Sequence, residues 1–125
     1  MSYTNGLDKP SDYFNTVLYT GNASTSRGIT GIGFQPDWNW TKSRSHSEWH
    51  VLQDSVRGGT KTLYSNATDA ENTTNNISSF DSDGYTIGAA AGDINASGKT
   101  YASWNWKAGT SFTNDASATG IGSID

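Results

Sequence analysis

The sequence predicts an all-β domain, an antiparallel β-sandwich or jelly roll, and three observations carry that prediction. Trp, Tyr and Phe number 5, 6 and 4 in 125 residues, and aromatic and β-branched side chains suit a half-buried pleated surface. Hydrophobic residues make up 33% and charged residues 16% of the chain. The helix-favouring Leu and Lys are scarce, and Ser, Thr, Asn and Gly fill the remainder. Turn-forming residues also break the chain at short intervals between short alternating runs, the spacing of sandwiches and jelly rolls.

Residues 1–11 read as a polar N-terminal arm containing Asn5-Gly6 and Lys9-Pro10. DYFNTVLYTGN mixes aromatic and β-branched residues and stops at Gly21-Asn22, which predicts a first strand. In SRGITGIGFQPDWNWTKSRS the glycines around Ile29 mark bends, and Pro36-Asp37 marks a turn or edge. Beyond that turn Trp38, Trp40, Lys42 and Arg44 share one parity, and Asn39, Thr41 and Ser43 the other. EWHVLQDSVRGGTKTLYSN predicts two strands around Arg57-Gly58-Gly59, with an Asp54–Arg57 ion pair stiffening the hairpin. SNATDAENTTNN is a polar connection with room for one short helical turn, and ISSFDSDGYTIG predicts a second hairpin about Asp83-Gly84. A Gly- and Ala-rich connection leads to YASWNWKAG, the closing strand, and residues 110–125 read as a linker or tail. The sandwich domain is therefore expected over residues 12–109.

Alternation on the closing strand groups Ala102, Trp104, Trp106 and Ala108 on one face and Tyr101, Ser103, Asn105 and Lys107 on the other. Paired indoles bracketed by small alanines predict a core-facing side, with Trp104 its centre, Trp106 nearer the rim, and the polar side in solvent.

The net charge of −4 and the absence of a basic stripe argue against nucleic-acid binding. Cysteine is absent, which excludes disulfides and thiol chemistry. Neither a signal-peptide pattern nor an apolar run of about 20 residues occurs, so neither standard export nor membrane insertion is expected. The N-x-S/T triplets at Asn22, Asn39, Asn66, Asn72, Asn76 and Asn95 fit chance in an Asn- and Thr-rich chain.

His46, Glu48 and His50 would share a face on an extended strand and could offer three metal ligands. SRSHSE instead reads as a loop crest, with His50 opening the next strand, and no metal or other cofactor is expected. Asp81-Ser82-Asp83-Gly84 lacks the later ligands of a calcium loop and reads as a tight turn. No nucleophile elbow or nucleotide fingerprint is present, and Glu48, Glu71 and the scattered Asp residues nominate no particular carboxylate pair, so no enzymatic activity is expected.

In order, DYFNTVLYTGN, GITGIGFQPDWNWTKSRS, VLQDSVRGGTKTLYSN, FDSDGYTIG and YASWNWKAG resemble a domain of marine bacteriophage virion proteins, the tail-fibre-like or appendage proteins of cyanophages and other ocean phages. The resemblance covers residues 12 to 109. It implies a concanavalin-A-like or SPRY-like sandwich in a modular virion protein, and it carries over no catalytic residue. Family members commonly have apolar residues where this chain has Asn39 and Thr41.

The expected role is a structural module of a tail fibre or similar appendage, active in assembly and host-surface attachment. Its expected partners are other virion proteins and further copies of itself, with a trimer as the first expectation. It would be assembled in the host cytoplasm and displayed on the virion. A lectin-like adhesin is the alternative, followed by a capsid decoration protein or a small glycan hydrolase. Trp38, Trp49 and Tyr64, whose neighbours are polar or turn-forming, are the candidate glycan contacts.

Overall fold

The computed structural model describes residues 9–88 and 92–108. Most of the expected arm and the whole of the expected tail lie outside the described residues. A 3-10 turn at Pro10–Asp12 opens the body, with proline at its start where no backbone donor is needed. Nine strands follow: β1 Phe14–Thr20, β2 Arg27–Ile29, β3 Trp38–Ser43, β4 Val51–Asp54, β5 Lys61–Tyr64, β6 Asn72–Thr73, β7 Ile77–Asp81, β8 Gly84–Ile87 and β9 Thr100–Trp106. They form a six-stranded sheet in the order β1-β9-β3-β4-β5-β6 and a three-stranded sheet in the order β2-β8-β7. Every pairing is antiparallel. The protein is a β-sandwich, as the composition predicts.

Both expected hairpins form. Asp54 accepts from the Arg57 backbone N–H at 2.8 Å and meets its guanidinium at 2.5 Å, while Arg57 reaches on to Glu71 at 3.2 Å. The short helical turn lies elsewhere than expected. It is α1, Gly92–Asn95, in the Gly- and Ala-rich connection, whereas the polar connection supplies the edge strand β6. Tertiary contacts select that site, because α1 plugs one end of the sandwich. Ile94 and Asn95 are fully buried. Tyr19 donates to the Ile94 carbonyl at 2.7 Å, and the Asn95 amide bonds Asn22, Arg27 and Ser24.

The core is supplied mainly by the smaller sheet and its loops. Ile29, Ile32, Phe34, Ile77, Tyr85 and Ile87 cluster with Val51 and Ile94. Val17, Tyr19, Tyr64 and Phe80 pack against them.

The large sheet presents to this core the face expected in solvent. On β9 Tyr101, Ser103 and Asn105 are buried, while Trp104 and Trp106 lie on the outer face, only half-buried. On β3 Asn39, Thr41 and Ser43 are buried, and Trp38 and Trp40 point out. Pairing registers place Asn15, Asn105, Asn39 and Gln53 in one inward row across β1, β9, β3 and β4. Asn39 donates to Asn105 Oδ1 at 2.7 Å and to Ser103 Oγ at 2.9 Å, and it accepts from Thr41 at 2.8 Å. Asn105 donates to Ser103 and to the Asn15 carbonyl, and Gln53 donates to the Gly59 carbonyl.

This corrects the parity read from hydrophobicity, and the reason is physical. Burying an amide is costly only when its bonds go unmade, and here neighbouring amides and hydroxyls bond one another. The indoles need no opposing layer to lose half their exposure, because they cover each other across strands.

Asp83, at the β7–β8 turn, ties that hairpin to the loop after β2. Its carboxylate accepts from the backbone N–H groups of Gly31 at 3.0 Å and Gly33 at 2.7 Å. These glycines hold φ of +84° and +88°, a region that side-chain-bearing residues rarely adopt. The Gly31 and then the Gly33 N–H hold the Asp83 carboxyl below its ordinary value. A carboxyl depressed in the folded state stabilises above its unfolded value and loses that contribution as pH falls through the folded one. Asp83→Ala is therefore expected to lower the melting temperature at pH 7, and the gap from wild type should close as pH falls below the ordinary carboxylate range. Thermal melts followed by circular dichroism at both ends of that range check it.

Candidate functional site

The structure separates the three expected contact residues into one and two. Trp49 and Tyr64 meet at one end of the sandwich, with ring centroids 5.3 Å apart, and Trp38 lies on the outer face of the large sheet. Trp49 is 45% exposed and follows the loop after β3, while Tyr64 ends β5 opposite Val51. Ser47, Glu48, Trp49 and Asn66 line an open pocket of about 270 Å³ here. Asn66 is fixed in it by accepting from the His50 backbone N–H at 2.8 Å. An indole, a carboxylate, an amide and a hydroxyl thus converge on one concavity.

Two carboxyl groups meet beside this pocket. Burial pushes the Asp93 carboxyl on α1 above its ordinary range, and the charge of the nearby Glu48 adds to it. His46 Nε2 lies 3.5 Å from the Glu48 carboxylate, and His46 Nδ1 bonds Ser43 Oγ.

His50 stands apart from this group. It follows the parity of outward Leu52 on β4, and burial and then the neighbouring Lys42 lower its pKa. The His46, Glu48 and His50 motif is therefore split by the bend after β3. Among the described residues no group of three His, Asp or Glu side chains is arranged to hold a metal ion.

The second surface is the outer face of the large sheet. Phe14, Trp106 and Trp38 form one row across β1, β9 and β3, with centroid separations of 5.0 and 4.4 Å. Trp104 and Trp40 form the next, at 5.2 Å, flanked by Thr16, Leu52 and Leu63. Leu18, Ala102 and Lys42 form the third.

Sequence reasoning named Trp38 alone from this face. The signal was there: two strands each carry W-x-W, and pairing those strands in register stacks four indoles on whichever side they take. Asp93 was missed because it sits alone in a Gly- and Ala-rich stretch, with nothing local to tie it to Glu48.

Replacing Glu48 by Gln removes the charge beside Asp93. The Asp93 titration midpoint is expected to move down toward the ordinary carboxylate value, read by NMR of its side-chain carboxyl carbon. An unchanged midpoint would separate the two groups.

Comparison with curated proteins and with solved structures gives no match. The profile of the DUF7483 family, described as a domain of unknown function, matches residues 9–124, which takes in both sheets and α1. The chain belongs to the DUF7483 family.

Proposed function

We propose that this protein is a non-enzymatic attachment module of a phage virion appendage, such as a tail fibre, and that it contacts host-surface glycans at the Trp49 pocket. The observation that carries the glycan contact is the exposed Trp49 indole in a concavity shared with Glu48, Asn66 and Ser47. Sugars stack their apolar C–H faces on aromatic rings, while carboxylates, amides and hydroxyls orient their hydroxyl groups. Trp49 and Tyr64 provide the rings, and the other three side chains provide the orienting groups. The virion context rests on the order of sequence phrases shared with marine phage appendage proteins. In that setting the module is exposed outside the cell on an assembled particle, where a weak sugar contact gains strength from repetition.

In this reading Glu48, which lines the pocket, and the nearby Asp93 serve recognition. A glycan array and a host-cell adsorption assay test the proposal. The full chain is expected to bind a defined set of glycans, and Trp49→Ala to weaken that binding at least tenfold, about 1.4 kcal/mol, with unchanged circular dichroism. A folded wild-type chain that binds no glycan overturns the glycan contact.

A further inference from the structure

We infer that the tryptophan face of the large sheet is the interface of a two-fold dimer, with a second copy of this chain as its occupant. The inference is independent of the glycan pocket, which lies at the end of the sandwich.

The chemistry of the face decides among occupants. Its outward side chains are Phe14, Thr16 and Leu18 on β1, Ala102, Trp104 and Trp106 on β9, Trp38, Trp40 and Lys42 on β3, and Leu52 and Leu63 beyond them, with His50 and Asp54 at the two ends of β4. No Asn or Gln is among these residues, because the amides of these strands line the interior. A sugar would find rings here but few groups to orient its hydroxyls. Residues 110–125 of the same chain contain only Phe112, Ile121 and Ile124 as large apolar side chains, too few to cover a face of four indoles, Phe14 and three leucines. A protein face of matching shape suits it better, and the face matches itself.

That match follows from the registers. The first row, Phe14, Trp106 and Trp38, is tall, and the third, Leu18, Ala102 and Lys42, is low at its centre, where Ala102 sits. A two-fold axis along the middle row, through Trp104 and Trp40, lays the first row of one copy over the third row of its partner. Trp106 then lies over the partner's Ala102, which its own neighbours leave only 5% exposed, and Phe14 meets the partner's Leu18. Trp38 receives the ammonium of the partner's Lys42 on its ring face, a cation–π contact. Each contact occurs twice, as an isologous interface requires. A two-fold along the strands between β9 and β3 would instead set Phe14 against Asp54, a ring over a carboxylate.

The area sets the expected strength. Five strands about 4.8 Å apart, crossed by three rows about 7 Å apart, make a face on the order of 400 Å². Two such faces bury roughly 800–900 Å², the size of a weak, reversible association. The dimer is thus expected to dissociate in the range of tens of micromolar, and to matter most where copies are held close together.

Sedimentation velocity of the full chain from about 1 to 500 µM tests this. A reversible monomer–dimer equilibrium is expected. Lys42→Glu, on the surface, is expected to weaken it about tenfold, and Trp104→Lys, which sets two ammonium groups against each other at the axis, to abolish it. Thermal melts confirm that both variants fold, and Lys42→Glu alone suffices if Trp104→Lys does not. A wild-type chain that stays monomeric throughout overturns the inference, whether or not residues 110–125 cover the face. So does a trimer, and so does a dimer that Lys42→Glu leaves unchanged.

Discussion

Asn39, at the centre of the large sheet, makes three side-chain hydrogen bonds, to Asn105, Ser103 and Thr41, and all four side chains are fully buried. The rest of the architecture depends on this small network. Strand alternation allows each strand only two choices, so once the amides of β3 and β9 are turned inward and bonded, their tryptophans must point outward. The neighbouring strands follow in register, bringing Asn15 and Gln53 to the same inward row and Phe14 and Leu52 outward. Removing one partner would strand the others, at about 1–3 kcal/mol for each buried group left without a bond. The network thus fixes register as well as contributing stability.

That choice divides labour between the two sheets. The three-stranded sheet brings the isoleucines and Tyr85, whose hydroxyl lies among Ser103, Thr41, Tyr19 and Asn39. The apolar core is therefore one-sided, with aliphatic groups from the small sheet covering a polar lattice on the large one. With most of its inward polar groups bonded and, among the described residues, only the Gln53 Oε1 left without a partner, the large sheet can spend its aromatic surface elsewhere. The Trp49 pocket and the indole face arise from the same arrangement, one at the sandwich end and one on its back. Recognition and self-association can then proceed on separate surfaces of a single small domain.

Much of this was legible in the sequence, and the exceptions share a cause. The positions of β1, β3, the β4–β5 and β7–β8 hairpins and β9 follow from alternation and from Gly58-Gly59 and Asp83-Gly84. The Asp54–Arg57 pair was legible because its partners are three residues apart. The facing of β3 and β9 was not. Hydrophobicity assigns Trp104 inside and Asn105 outside one residue at a time, whereas burial of Asn105 is settled by Asn39 and Ser103 acting together across strands. The polar Asn39 and Thr41 between the tryptophans were themselves the clue, read in the wrong direction: the interior bonds them. That the candidate contacts Trp49 and Tyr64 are neighbours was not legible, and Asp93 comes from a distant turn that only the fold brings near Glu48.

The orientation of the large sheet is the claim on which the other conclusions rest. Hydroxyl-radical footprinting of the full chain at low micromolar concentration, with each site normalised to the unfolded chain, tests it within a single strand. Trp104 and Trp106 are expected to be oxidised alongside Trp38 and Trp49, while Tyr101 of the same strand and Tyr85 are protected. Protected tryptophans with a reactive Tyr101 would turn the sheet over and contradict the account.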